Sequence, residues 1–124
     1  HSTEDFERDL DSTQNIISRF TAVDTKWYRA PHARISKTMQ QVLDEKGYTH
    51  VVCDGFASDT SIPDAKWISK FILKKVKDGS IVLIHMPEKG VREWNFEAME
   101  LTLKGLKEKG YDIVTFSRLH ELSQ

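Results

Sequence analysis

The run Asp78-Gly79-Ser80-Ile81-Val82-Leu83-Ile84-His85 joins a turn, an apolar strand and one imidazole in a single short stretch. Four consecutive branched apolar residues without alternation predict a strand covered on both faces, as in the parallel sheet of an α/β protein. His85 is its exit residue. The carboxyl ends of such strands carry the chemistry of α/β sheets and barrels, which makes His85 a candidate acid or base. A histidine that merely caps the strand is the plainer alternative.

Outward from this strand, the chain alternates helix and strand. Residues 2–20 predict a first helix, with Ser2 as hydroxyl cap, Glu4 and Asp5 in the first turn, and Phe6, Leu10, Ile16, Ile17 and Phe20 along one stripe. Residues 25–29 predict a short aromatic strand ended by Pro31. A second helix is capped by Ser36, carries Met39, Val42 and Leu43, and closes at Gly47. Residues 48–54 predict a second strand and 55–63 a loop directly after its end. Pro63-Asp64 starts a third helix with Trp67, Ile68, Phe71, Ile72 and Val76 inward and Lys70, Lys74, Lys75 and Lys77 in solvent. A fourth helix over 94–109 turns Phe96, Met99, Leu103 and Leu106 inward; residues 111–116 predict a last strand and 117–122 a terminal helix. This order predicts right-handed crossovers, one parallel sheet and one domain over residues 1–124. If all strands are parallel, Arg29, the loop 54–59 and His85 share one end of the sheet.

Bulk composition narrows the partners. The 124 residues carry 18 basic and 19 acidic side chains, interleaved in sign, with no long basic stripe of the kind that tracks phosphates, so nucleic acid is not expected. One cysteine excludes an internal disulfide, and no apolar run is long enough to span a bilayer, so a soluble chain is expected. The chain starts at His1 with no charged-then-apolar leader, so a processing point or an engineered boundary is expected there. Compartment is not legible.

A carboxylate beside an imidazole fixes its tautomer and sets up acid or base chemistry near neutral pH. Asp59 with His85 is the preferred pair, and Asp54 is the rival carboxylate; for both acids the plainer role is loop capping. Arg29 can hold a carboxylate ionised, or form a structural ion pair. Cys53 sits in an apolar strand and is read as packing, not as nucleophile. Trp27, Trp67 and Trp94 are read as packing residues, with a sugar-facing role open for Trp94. His1, His50 and His120 show no ligand spacing, and no metal motif is present.

These residues resemble a family. Arg29-Ala30-Pro31-His32, the loop ending at Asp59, Leu83-Ile84-His85, and after a helix Gly110-Tyr111 with Val114-Thr115-Phe116-Ser117-Arg118-Leu119 look like the polysaccharide deacetylase family, the NodB homology domain. The resemblance covers nearly the whole chain in family order. It implies an irregular (β/α) barrel, of which this chain is the C-terminal half, removing acetyl groups from N-acetylated sugars such as those of chitin or peptidoglycan. It implies a divalent metal, usually zinc, that polarises the amide carbonyl and activates water. By position, His85 resembles the general acid that protonates the leaving amine, Asp59 the acid that tunes it, and Arg29 the residue that orients the catalytic carboxylate. The backbone N–H at His32 matches an oxyanion donor and Leu83 the lining of the acetyl pocket.

The departures are His32 in place of the usual aromatic, Ala33 in place of a frequent Gly, no Trp after Asp59, and Met86 in place of an Asp. The family's catalytic base, its metal-binding Asp and its metal-binding histidine pair have no counterpart here, and His1 is not assigned as a ligand. The resemblance therefore predicts a chain that carries the acid and substrate side without the metal. Such a chain is expected to be inactive alone and to pair with the missing N-terminal half, or with itself, through open barrel edges. Two alternatives are a non-catalytic carbohydrate-binding descendant and a stand-alone flavodoxin-like domain, the latter requiring an open four-stranded sheet with helices on both faces.

Overall fold

A computed structural model describes residues 2–22 and 26–124. His1, and Thr25 at the start of the predicted first strand, lie outside the described residues. The chain divides into two compact units, residues 1–52 and 53–124.

The first unit contains helix α1 (Thr3–Ile17), strand β1 (Trp27–Tyr28), a 3₁₀ turn (Pro31–Ala33), helix α2 (Lys37–Glu45) and strand β2 (Thr49–His50). Ser2 and Asp5 close a reciprocal capping box at the start of α1, satisfying N–H groups that have no partner within the helix. Ser36 caps α2 by accepting from the Met39 N–H, and Gly47 at φ 71° ends it in the left-handed conformation that glycine adopts without a Cβ penalty. β1 and β2 run parallel, with Trp27 opposite Thr49 and Tyr28 opposite His50. Leu10, Val42, Leu43 and Tyr48 form the core, with Phe6, Tyr28 and Ile35 packed on it. At its edge Lys46 binds Glu7 and Asp11 of α1 at 2.9 and 3.0 Å.

The second unit contains β3 (Gly55–Phe56), α3 (Ala65–Lys75), β4 (Val82–Leu83), α4 (Trp94–Glu108) and α5 (Phe116–Leu122). β3 and β4 are parallel, with Gly55 opposite Val82 and Phe56 opposite Leu83. Gly55 lets the chain pass closely there: a Cβ would stand 3.1 Å from methyl carbons of both Val76 and Val82, which would have to give by a few tenths of an ångström. Asp64 caps α3 by accepting from the Trp67 N–H. Ile68, Ile72 and Ala98 are fully buried where α3 meets α4.

Several expectations require correction. The predicted strand 48–54 forms a ladder only at Thr49–His50, and the predicted loop begins with a strand, β3. Two separate two-stranded parallel pairs replace the single sheet among the described residues, so the open sheet of a flavodoxin-like domain is not formed. The β4 segment is not covered on both faces: Ile84 packs on the α3 and α4 core, whereas Val82 is 36% exposed. Val82 and Ile84 both line an apolar groove of about 370 Å³, together with Met99, Leu103, Ile113, Phe116 and Leu119. Residues 111–115 join no ladder and leave Ile113 and Val114 exposed.

The inward face of α4 is also turned from the expected one. Asn95, Ala98, Thr102 and Leu106 are buried, while Phe96 and Leu103 are exposed. Small residues let the two helices approach, and a side chain at Gly105 would collide with Leu73 of α3. Trp67, expected inward, is on the exposed side of α3 and stacks on Phe71.

Candidate active site

The end of the β4 segment and the loop after β3 bring Asp59 and His85 together. Asp59 is 2% exposed, and its placement is fixed from both ends. The indole N–H of Trp94 donates to its backbone carbonyl at 2.9 Å. Its side-chain Oδ2 accepts from the His85 backbone N–H at 2.7 Å and from Asn95 Nδ2 at 2.9 Å. The His85 ring lies against the same carboxylate, with Nδ1 at 3.1 Å from both oxygens. A carboxylate has only acceptors, so Nδ1 carries the proton that faces it. Nε2 is then the ring nitrogen left for chemistry, on a side chain that is 43% exposed.

Local sequence explains why these groups meet. The last residues of the β4 segment carry His85 out of the ladder with its backbone N–H unclaimed by a neighbouring strand, and Asp59 accepts it. The first turn of α4 places Trp94 and Asn95 against the same loop. Asn95 Nδ2 also donates to the His85 carbonyl at 2.9 Å. Beyond His85, Arg92 fastens the connecting loop by donating from Nε to the Met86 carbonyl at 2.8 Å.

Asp54, the rival carboxylate, is used elsewhere. It accepts from the Ser80 hydroxyl and from the Ile81 N–H, both at 2.8 Å, and so ties β3 to the turn that precedes β4. Burial alone would raise its pKa. The Ser80 and Ile81 hydrogen bonds and the Lys77 charge outweigh this and hold the group below its ordinary value.

Leu83 pairs with Phe56 in the ladder and stands two residues before His85, hence on the same side of the extended segment. Arg29 and His32 belong to the first unit. Arg29 is exposed directly after β1. His32 and Ala33 both adopt φ of 54°, a left-handed conformation uncommon for residues with a Cβ. Among the described residues no group of three His, Cys, Asp or Glu side chains is arranged to hold a metal ion, and no residue is assigned to one. Nor is any helix among them long and apolar enough to cross a membrane.

Asn95 and the indole role of Trp94 were not legible in the sequence. The available signal was a stripe of small and polar residues, Asn95, Ala98, Thr102 and Gly105, on an otherwise apolar helix.

Comparison with known proteins places this geometry in context. A model of the polysaccharide deacetylase family matches residues 1–51. A bifunctional xylanase/deacetylase from Pseudobutyrivibrio xylanivorans is 30% identical over 91% of this chain and 18% of its own length. A peptidoglycan-N-acetylglucosamine deacetylase from Listeria monocytogenes is 26% identical over 96% of this chain and 24% of its own length. The chain thus spans less than a third of either relative. The Xyl-CE4 domain of a multidomain xylanase from the hindgut metagenome of Trinervitermes trinervoides superimposes with a TM-score of 0.86 at 26% identity, covering 99% of this chain and 58% of that one. A family 4 acetyl xylan esterase from Clostridium thermocellum, solved with a cobalt ion, gives 0.84 at 25% identity, covering 98% and 57%. A CE4 family pseudoenzyme from Bacillus anthracis shares the fold, with a TM-score of 0.83 at 20% identity over 96% and 41%. Family model, relatives and solved structures agree, and this α/β chain is similar to part of a domain of the polysaccharide deacetylase family.

Proposed function

We propose that this chain contributes the proton-donating side of a deacetylase domain acting on an N-acetylated glycan of the chitin or peptidoglycan kind. The observation that carries the reading is the Asp59 and His85 contact, with Nδ1 held by the buried carboxylate on a side chain that is partly exposed. His85 then donates from Nε2 to the departing amine, and Asp59 holds the ring in the tautomer that permits it. Arg29 orients a catalytic carboxylate, the His32 N–H is an oxyanion donor, and Leu83 lines the acetyl pocket.

In this reading the chain is the C-terminal half of an irregular (β/α) barrel. The open groove beside Val82 and the unpaired segment 111–115 are where the rest of the barrel, or a second copy, packs. A divalent cation, zinc or another, belongs to the complete domain and supplies polarisation of the amide carbonyl when bound. Its ligands and the catalytic base come from outside these 124 residues, and the chain alone is inactive.

The test is acetate release from a chitooligosaccharide. A longer protein with the whole domain is expected to release acetate, and His85→Ala to lose at least about 100-fold in kcat. The 124-residue chain with zinc is expected to release none. Release by the chain alone overturns the half-domain reading. Undiminished turnover by His85→Ala overturns the acid role, and no release by the longer protein favours a non-catalytic carbohydrate-binding descendant.

A further inference from the structure

We propose that Asn95 is a positioning residue for His85, holding carboxylate and histidine in one arrangement and keeping the ring in its Nδ1–H form. The inference deepens the reading of His85 as the acid and rests on it. Asn95 has no exposed surface. Its amide nitrogen carries two protons, and each has an acceptor in the pair: Asp59 Oδ2 and the His85 carbonyl, both at 2.9 Å. Both neighbours are acceptors, so this face of the amide must be the NH₂ group.

The other end of the same side chain has no partner. Asn95 Oδ1 is buried without a hydrogen bond among the described residues, which is an unfavourable state for a carbonyl. Leucine has nearly the same shape and would remove this unpaired oxygen, but it would also take the amide donor away from the His85 carbonyl and from Asp59 Oδ2. What the amide adds is a clamp: it ties the side chain of Asp59 to the main chain of His85, while Asp59 binds both the main chain and the ring of His85. Without it, Oδ2 loses a donor, and the carboxylate is free to turn away from Nδ1.

Two readouts separate this inference from the reading beneath it. In this chain, long-range proton–nitrogen NMR of the His85 ring is expected to show the Nδ1–H form for the wild type and a majority of the Nε2–H form for Asn95→Leu. An unchanged tautomer in folded Asn95→Leu overturns the positioning role. If that variant does not fold, Asn95→Ser keeps one donor and is expected to give a mixed ring; a wild-type tautomer there overturns the proposal equally. In the protein carrying the whole domain, Asn95→Leu is expected to lower kcat about 10- to 100-fold, the usual cost of removing an outer-shell partner, with KM within about twofold. A shifted tautomer with unchanged kcat overturns the acid role of His85 instead.

Discussion

Replacing Asp59 by Asn changes one atom, and the structure says which contact must fail. Oδ2 accepts from the His85 N–H and from Asn95 Nδ2, and both oxygens lie 3.1 Å from the ring nitrogen Nδ1, which among the described residues is the contact of Oδ1. The new side chain therefore keeps its carbonyl oxygen at the Oδ2 position, where two donors point, and turns its NH₂ toward His85. A donor 3.1 Å from Nδ1 favours a lone pair there, and the oxygen that stays at the Oδ2 position already accepts from two other donors, so the ring is expected to move its proton to Nε2. Two charge-assisted bonds become neutral ones, which lowers each by about 1 kcal/mol and destabilises the fold by about 2 kcal/mol. With a urea slope of about 2 kcal/mol/M, the midpoint drops by about 1 M. The tautomer is read by nitrogen NMR and the stability by urea titration. If His85 is the acid, the complete domain loses on the order of 10³ to 10⁴ in kcat, as when an amide replaces the carboxylate behind a catalytic histidine. An Asp59→Asn protein whose ring keeps its Nδ1–H form, or whose midpoint does not move, would falsify the account of this site.

Three further outcomes are expected. Ile72 is fully buried between α3 and α4, and Ile72→Ala should cost about 3 kcal/mol, seen as a lower melting temperature; a loss below about 1 kcal/mol would contradict the packing described. At Ala33, with φ 54°, glycine removes about 1–2 kcal/mol of left-handed strain but adds about 0.5–1 kcal/mol of unfolded-chain entropy, so Ala33→Gly should stabilise by about 0.5 kcal/mol in urea unfolding, and a destabilised variant would show the strain is not there. Asp54 has its pKa lowered from 3.8, so its contribution is present above that value and is lost as pH falls through the folded one. Acid unfolding followed by tryptophan fluorescence should therefore be less steep below about pH 4 for Asp54→Asn than for the wild type, and equal slopes would rule out this coupling.

Local signals sufficed wherever one stretch of chain determines its own structure. The caps at Ser2 and Ser36 and the helix end at Gly47 rest on side-chain acceptors and backbone freedom within a few residues, and they were legible. The proximity of Asp59 and His85 was also legible, because a loop after one strand and the exit of the next lie at one end of a parallel pair. Whatever depends on a neighbour was not. The stretch 111–115 is rich in strand-forming residues, but a strand exists only with a partner ladder, and none is formed among the described residues. The phase of α4 failed for a related reason. Phe96, Met99 and Leu103 are the more apolar choice for an inner face, yet Asn95 must reach Asp59 and Gly105 must admit Leu73, which turns the small and polar stripe inward.

The apolar groove of the second unit bears on the thermodynamics of the whole chain. Val82, Leu103, Ile113, Val114 and Phe116, which line it, stay between 36% and 52% exposed in the folded state. Water that already covers these side chains is not newly ordered when the chain unfolds. The heat-capacity increment should therefore fall below the usual value of about 12–15 cal/mol/K per residue. The stability curve of the isolated chain is correspondingly flat, and its resistance to cold exceeds that of a fully closed domain of the same length.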